Sequence, residues 1–221
     1  MRRVLPAAAL LGPITSLGML LAAAGCSAGL HSDARAAQVY VLRITQQQAD
    51  EAGHSSASLH VGRPLAGPGL DSDHIVLVQS DHRMSYYVAS RWPADLPRVV
   101  EALAVQRLRA SGGWSAVQDS SSAFPSDYIL QIAIRRFEAD YTAHPDAPEV
   151  HVVFDCTLGK RAGREVMTSF VADGTAVAAA NRLGEVVSAF EGASNKALDT
   201  VAARASQAVR GDGEHRTAQR E

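Results

Sequence analysis

The sequence predicts a single α/β domain over residues 38–209, with a mixed β-sheet of about seven strands packed by two main helices. Three observations carry this. Short segments rich in Val, Ile, Tyr and Phe alternate apolar and polar residues with period two, as strands with one buried face do. Two long segments, 92–113 and 176–209, repeat their apolar residues at helical spacing. The elements run strands, helix, strand, then strands, helix, with no convincing internal repeat. About 170 residues is enough for one domain with its own core.

The first strand is QVYVLRI (38–44), with Val39 and Val41 on one face and Tyr40, Leu42 and Ile44 on the other. A polar loop follows (45–56). SLHVGRP (58–64) is a strand that sets Leu59 and Val61 on one face, and 65–73 is a turn-rich connection. HIVLVQS (74–80) and RMSYYVA (83–89) form a hairpin about Asp81-His82. Helix 92–113 has Pro93 and Asp95 near its start and Gly112-Gly113 at its end. WSAVQD (114–119) is a strand, and 120–125 a loop.

Two long strands come next. In 127–141, Leu130, Ile132 and Ile134 share one face and Ile129, Ala133 and Phe137 the other. In 149–160, Val150, Val152, Phe154, Cys156 and Leu158 face one way, which places Cys156 in the core as a small hydrophobe. A further strand (164–174) ends in an Asp173-Gly174 turn. The second helix carries a stripe of Leu183, Val187, Phe190, Ala197, Val201, Ala205 and Ala208. Residues 210–221 lack an apolar face and read as a disordered tail.

The first 25 residues have the layout of an export signal: Arg2-Arg3, an apolar stretch (4–21), then small residues. That run ends Ala23-Ala24-Gly25-Cys26, the form of a bacterial lipoprotein signal in which the cysteine is lipidated and becomes the new N-terminus. An ordinary signal peptide with an incidental cysteine is the other reading; position and context together select the lipoprotein form. Residues 26–37 are then the lipidated N-terminus and tether. Two or more acyl chains make such attachment stable. Ser27, not aspartate, follows the cysteine, which directs the expectation to the outer membrane of a Gram-negative bacterium, facing the periplasm.

Loss of residues 1–25 removes two of the 21 basic residues and none of the 23 acidic ones, for a net charge of −4. That balance gives no footprint for nucleic-acid binding. Cys156 is the only other cysteine, so no intramolecular disulfide is available and burial must hold the domain.

No nucleophile elbow, phosphate-cradling glycine loop or zinc-binding HExxH occurs. Asp71, Asp73, His74, Asp81 and His82 are the nearest approach to a metal cluster, and read as a turn and the exposed ends of a hairpin. The serines at 120–122 lack a nearby base. The sequence therefore implies no enzyme, no metal and no cofactor, and points to a tethered domain that binds.

The stretch SYYVASRWPADLPRVVEALAVQRLRASGGW (85–114) has a tyrosine pair, Arg91-Trp92 before a helix, and a Gly-Gly-aromatic end. With Tyr40-Val41-Leu42, LHVGRPLAGPGLDSDHIVL (59–77), DYILQIAIRRFEADY (127–141) and the lipidation signal, it resembles the ABC-type transport auxiliary lipoprotein family over about residues 38–205. The resemblance implies a non-catalytic, periplasm-facing α/β lipoprotein. Its implied partners are an ATPase, a permease and an Mce-domain protein that together move phospholipids or similar molecules between membranes. Tyr86, Tyr87, Arg91 and Trp92 are residue types enriched in interfaces and form the candidate partner-binding site. The alternative for them is that alternate members, with Trp92, pack the helix onto the sheet. An envelope lipoprotein for outer-membrane assembly or wall binding is the rival function. Direct phospholipid binding and homo-oligomer formation stay open.

Overall fold

The computed structural model describes residues 36–45 and 56–218, the side chains of 214–218 apart. The signal peptide, Cys26, most of the tether, most of the polar loop and residues 219–221 lie outside the described residues. Residues from Ala37 onward form one compact unit.

Nine strands and two main helices are described: β1 Gln38–Val39, β2 Ser58–Val61, β3 Leu65–Ala66, β4 His74–Val78, β5 Met84–Arg91, α1 Leu96–Ala110, β6 Ala116–Gln118, β7 Tyr128–Asp140, β8 Glu149–Lys160, β9 Glu165–Val177 and α2 Leu183–Ala218. Strand β7 organises the sheet. One edge pairs along its length with antiparallel β8, which in turn pairs with antiparallel β9. The other edge takes β2, β3 and β4 in succession, all parallel. Beyond these, β6 lies beside β2, β5 beside β4, and β1 beside β5.

Both helices cover one face of the sheet. The period-two pattern of β8 holds as expected: Val150, Val152, Phe154, Cys156 and Leu158 are all buried. In β7 the pattern breaks once. The register shifts between Ile134 and Arg136, leaving Arg135 as an extra residue. A one-residue bulge reverses the parity of everything after it. Phe137 therefore joins Leu130, Ile132 and Ile134 in the core rather than facing away from them. The bulge has its own partner: the Phe137 N–H donates to Glu138 Oε2 at 2.8 Å.

Four boundaries differ from the sequence expectation. Segment 40–45 leaves the sheet after two paired residues, because its backbone bonds to α2 side chains instead. Arg43 N–H donates to Glu191, Thr45 N–H to Asn195, and Asn195 donates back to the Arg43 carbonyl. Its alternation is still as expected, with Leu42 and Ile44 buried and Val39 and Val41 exposed. The connection 65–73 contains the short strand β3.

Asp173-Gly174 is not a turn. Strand β9 runs through it to Val177, and α2 begins at Leu183 rather than 176. A Cβ on Gly174 would lie 2.1 Å from the Ala193 carbonyl oxygen, so the glycine is there for close approach of α2.

The expected tail is also corrected. Helix α2 continues to Ala218, and Asp212 accepts a hydrogen bond from Tyr128 at 3.1 Å and pairs with Lys160. Those bonds hold the helical course through Gly211 and Gly213, each costing about 1 kcal/mol of helix propensity relative to alanine.

Candidate contact surface

The strand-to-helix junction separates its four sequence candidates. Trp92 is 1% exposed. Its ring meets Phe137 and Phe190 edge-on, at 6.0 and 5.3 Å between centroids. Its backbone N–H donates to the Asp73 carbonyl at 2.7 Å. It packs the helices onto the sheet and offers nothing to a partner. Tyr87 points to the same side and is half-buried. Its hydroxyl meets that of Tyr141 at 2.8 Å, and Tyr141 donates to Asn181 at 2.7 Å. Burial, with that hydrogen bond, pushes the Tyr87 phenol well above its usual range.

Tyr86 and Arg91 point the other way. The Tyr86 ring lies against the His74 imidazole at 4.7 Å, and Arg91 reaches Asp73 at 3.7 Å. Between them β5 is distorted. His74 pairs with Arg91 and Val76 with Tyr86, so residues 87–90 stand opposite Ile75 alone. Ala89 takes a left-handed φ of 52°. The Ser90 hydroxyl donates to the Val88 carbonyl at 3.0 Å, pinning the bulge. Left-handed backbone at a residue other than glycine is a local cost that the surroundings must impose. Its product is Val88, 91% exposed at the tip.

Met84, Tyr86, Val88, Val39 and Val41 make up five of the ten exposed large hydrophobics among the described residues. Val39 pairs beside Arg91 and Val41 follows it, so the five are strung along β5 and the segment that pairs with its end. Of the sequence candidates, then, Tyr86 and Arg91 reach this surface, while Tyr87 and Trp92 do not. Val39 and Val41 were readable as a face by alternation. Val88 had no signal, because only the bulge turns it outward.

The remaining polar candidates do not converge. Asp73 and His74 approach to 3.7 Å beside Arg91. Asp81 sits on the hairpin, where a hydrogen bond from Arg83 holds its carboxyl below the usual range. Among the described residues no group of three or more His, Cys, Asp or Glu could hold a metal. The serines after β6 serve structure: Ser120 N–H donates to Glu101 at 2.6 Å, and Ser121 bonds Asp119. An open cleft of about 800 Å³ along α1 is lined by Arg98, Glu101, Val105, Arg109 and Asp119. Its Arg109 guanidinium donates to the Val117 carbonyl, tying helix to strand.

The family model described as ABC-type transport auxiliary lipoprotein component matches residues 40–204. The chain belongs to this family. In this auxiliary lipoprotein the match takes in α1, β2 to β9 and most of α2; of the described elements it leaves out β1 and the end of α2.

Solved structures share the fold. A Xanthomonas campestris protein is 22% identical with a TM-score of 0.74, over 80% of this chain and 99% of that one. An uncharacterised protein is 14% identical with a TM-score of 0.61, over 77% of this chain and 99% of the other. A hypothetical protein of Chlamydia trachomatis is 8% identical with a TM-score of 0.52, over 70% and 98%. No protein of curated function matches the sequence. No described helix of the auxiliary lipoprotein is long and apolar enough to cross a membrane.

Proposed function

We propose that the protein is the membrane-anchored periplasmic auxiliary lipoprotein of an Mce-associated ABC transport system that moves lipid between the two membranes. Cys26 carries the acyl anchor, with the outer membrane as its seat. An Mce-domain protein, with its ATPase and permease, is the partner. The single observation that supports this reading is the family match, which spans nearly all of the folded domain. The work assigned to the domain is binding. Permanent anchoring raises the local concentration of the domain at one membrane, so a weak contact becomes effective.

The test is purification of the tagged, acylated protein in mild detergent, with mass spectrometry of the proteins and lipids that accompany it. Recovery of an Mce-domain protein with its transporter is expected, and bound phospholipid would show direct handling of cargo. Protein acylated on Cys26 that brings down neither would overturn the transport reading in favour of an assembly or wall-binding lipoprotein.

A further inference from the structure

The β1–β5 edge combines three features. It is apolar, with Val39, Val41, Met84, Tyr86 and Val88 exposed. Val88 projects from it, 91% exposed on a bulge of four residues opposite one. It is also where the tether enters, since Gln38 pairs beside Ser90, two residues past Val88.

We infer that this edge rests on the bilayer that holds the acyl group, with Val88 inserted among the lipids. The inference rests on reading Cys26 as the lipidation site. From Cys26 to Val39 there are 13 residue steps, at most about 45 Å of extended chain. The tether joins the domain at this edge, so the edge is the part of the domain with the shortest chain path to the acyl group.

The chemistry fits a membrane surface better than a protein groove. A protein partner anchors on side chains seated in pockets, whereas this edge is a projection. Lipid accepts a projecting apolar tip without needing a matching cavity. Tyr86 and Arg91 flank the tip, and tyrosine and arginine sit well at headgroup level with their polar ends in water. The nearby carboxylate is already answered: Asp73 faces both Arg91 and His74 at 3.7 Å. A second contact of this kind fixes the orientation of the domain, which an acyl anchor alone does not.

The experiment uses the full acylated chain with Val88→Cys carrying an environment-sensitive fluorophore. Cys26 is blocked by acylation and Cys156 is buried, so the new thiol is the one labelled. The control is Val171→Cys on β9, exposed and remote in the sheet. In phosphatidylethanolamine–phosphatidylglycerol vesicles, the label at 88 should shift to the blue and lose most of its emission to lipid-borne nitroxide. The label at 171 should do neither and should stay open to iodide. A label at 88 as accessible to iodide on vesicles as in detergent overturns the inference and leaves the edge to a protein partner. Equal quenching of both labels overturns it too, because contact would not be specific to the edge. Intact mass of the same preparation reports acylation separately. An unacylated chain defeats the anchor reading as well, whereas an acylated chain with a water-exposed label defeats the edge contact alone.

Discussion

Replacing Trp92 with alanine tests whether the junction residue belongs to the core or to a surface. The indole is fully enclosed between Phe137 on β7 and Phe190 on α2, and those two rings stack on each other at 5.1 Å. Truncation removes the one ring that touches both edge-on. Large-to-small aromatic changes in a core cost about 3–5 kcal/mol, combining lost transfer energy with the cavity left behind. Relaxation is limited here, because Phe137 is fixed by the β7 bulge and Phe190 by α2. Against a typical net stability of about 5–15 kcal/mol, that is a large fraction. For a domain of this size the same loss lowers the melting temperature by about 6–20 °C. The assay is thermal and urea unfolding followed by circular dichroism, beside Tyr86→Ala as the surface control. Tyr86→Ala should fall within about 1 kcal/mol of the parent. A Trp92→Ala protein that melts with the parent would refute the assignment of Trp92 to packing.

Other substitutions carry opposite signs for stated reasons. Gly174→Ala drives a methyl into the Ala193 carbonyl and should cost about 1–3 kcal/mol by overpacking. Gly192→Ala, whose Cβ would meet Ala176 at an ordinary 3.6 Å, should instead gain up to about 1 kcal/mol of helix propensity. Paired melting curves read both. Asp212→Ala removes the acceptor of Tyr128 and the partner of Lys160, and should cost about 1–3 kcal/mol. It should also speed amide exchange over 210–218, which exchange mass spectrometry detects. Burial pushes the Cys156 thiol up to about 12 from its ordinary 9.0. The folded state then holds a proton that the unfolded state releases, so stability is full below pH 9 and falls through pH 12, by about 1.4 kcal/mol per pH unit. Cys156→Ala should flatten that part of the alkaline urea-midpoint profile. An unchanged slope would refute the link.

The long strands were legible because one buried face writes itself into the sequence with period two. Val150 to Leu158 needed no further information. The bulge at Arg135 was not legible, since one extra residue leaves composition unchanged while moving Phe137 across the sheet. Asp-Gly at 173–174 signalled a hairpin for sound reasons, but the glycine answers to a helix that meets the strand from above. The acceptors of the Arg43 and Thr45 N–H groups are side chains about 150 positions away, which no local pattern contains. At the contact surface, alternation could tell that Tyr86 and Tyr87 point apart. It could not tell which one faces water, because that depends on where the helices settle.

The sheet has one face covered by helices and one free of them, and the free face differs along its width. Over β7 and β8 it carries charge in pairs: Arg135 with Asp155 at 3.3 Å, Arg136 with Asp140 at 3.0 Å and with Glu138, and His151 with Glu149 at 3.5 Å. Thr157 and Ser169 exchange a hydrogen bond across β8 and β9 at 3.1 Å. The exposed Arg135–Asp155 pair contributes little to stability, about 0–1 kcal/mol. These pairs do keep that wall solvated, because covering it would cost the water around each charge without an apolar gain. At β5 the pairing thins and the exposed side chains become Met84, Tyr86 and Val88. Burying apolar area gives about 25 cal/mol per Å², so on the free face contact is favoured at this edge, and at Val171 and Val177 on β9, and opposed on the charged wall between them. The tether enters at the β1–β5 edge. The apolar edge and the point where the tether joins the domain therefore coincide, and the charged wall lies apart from both.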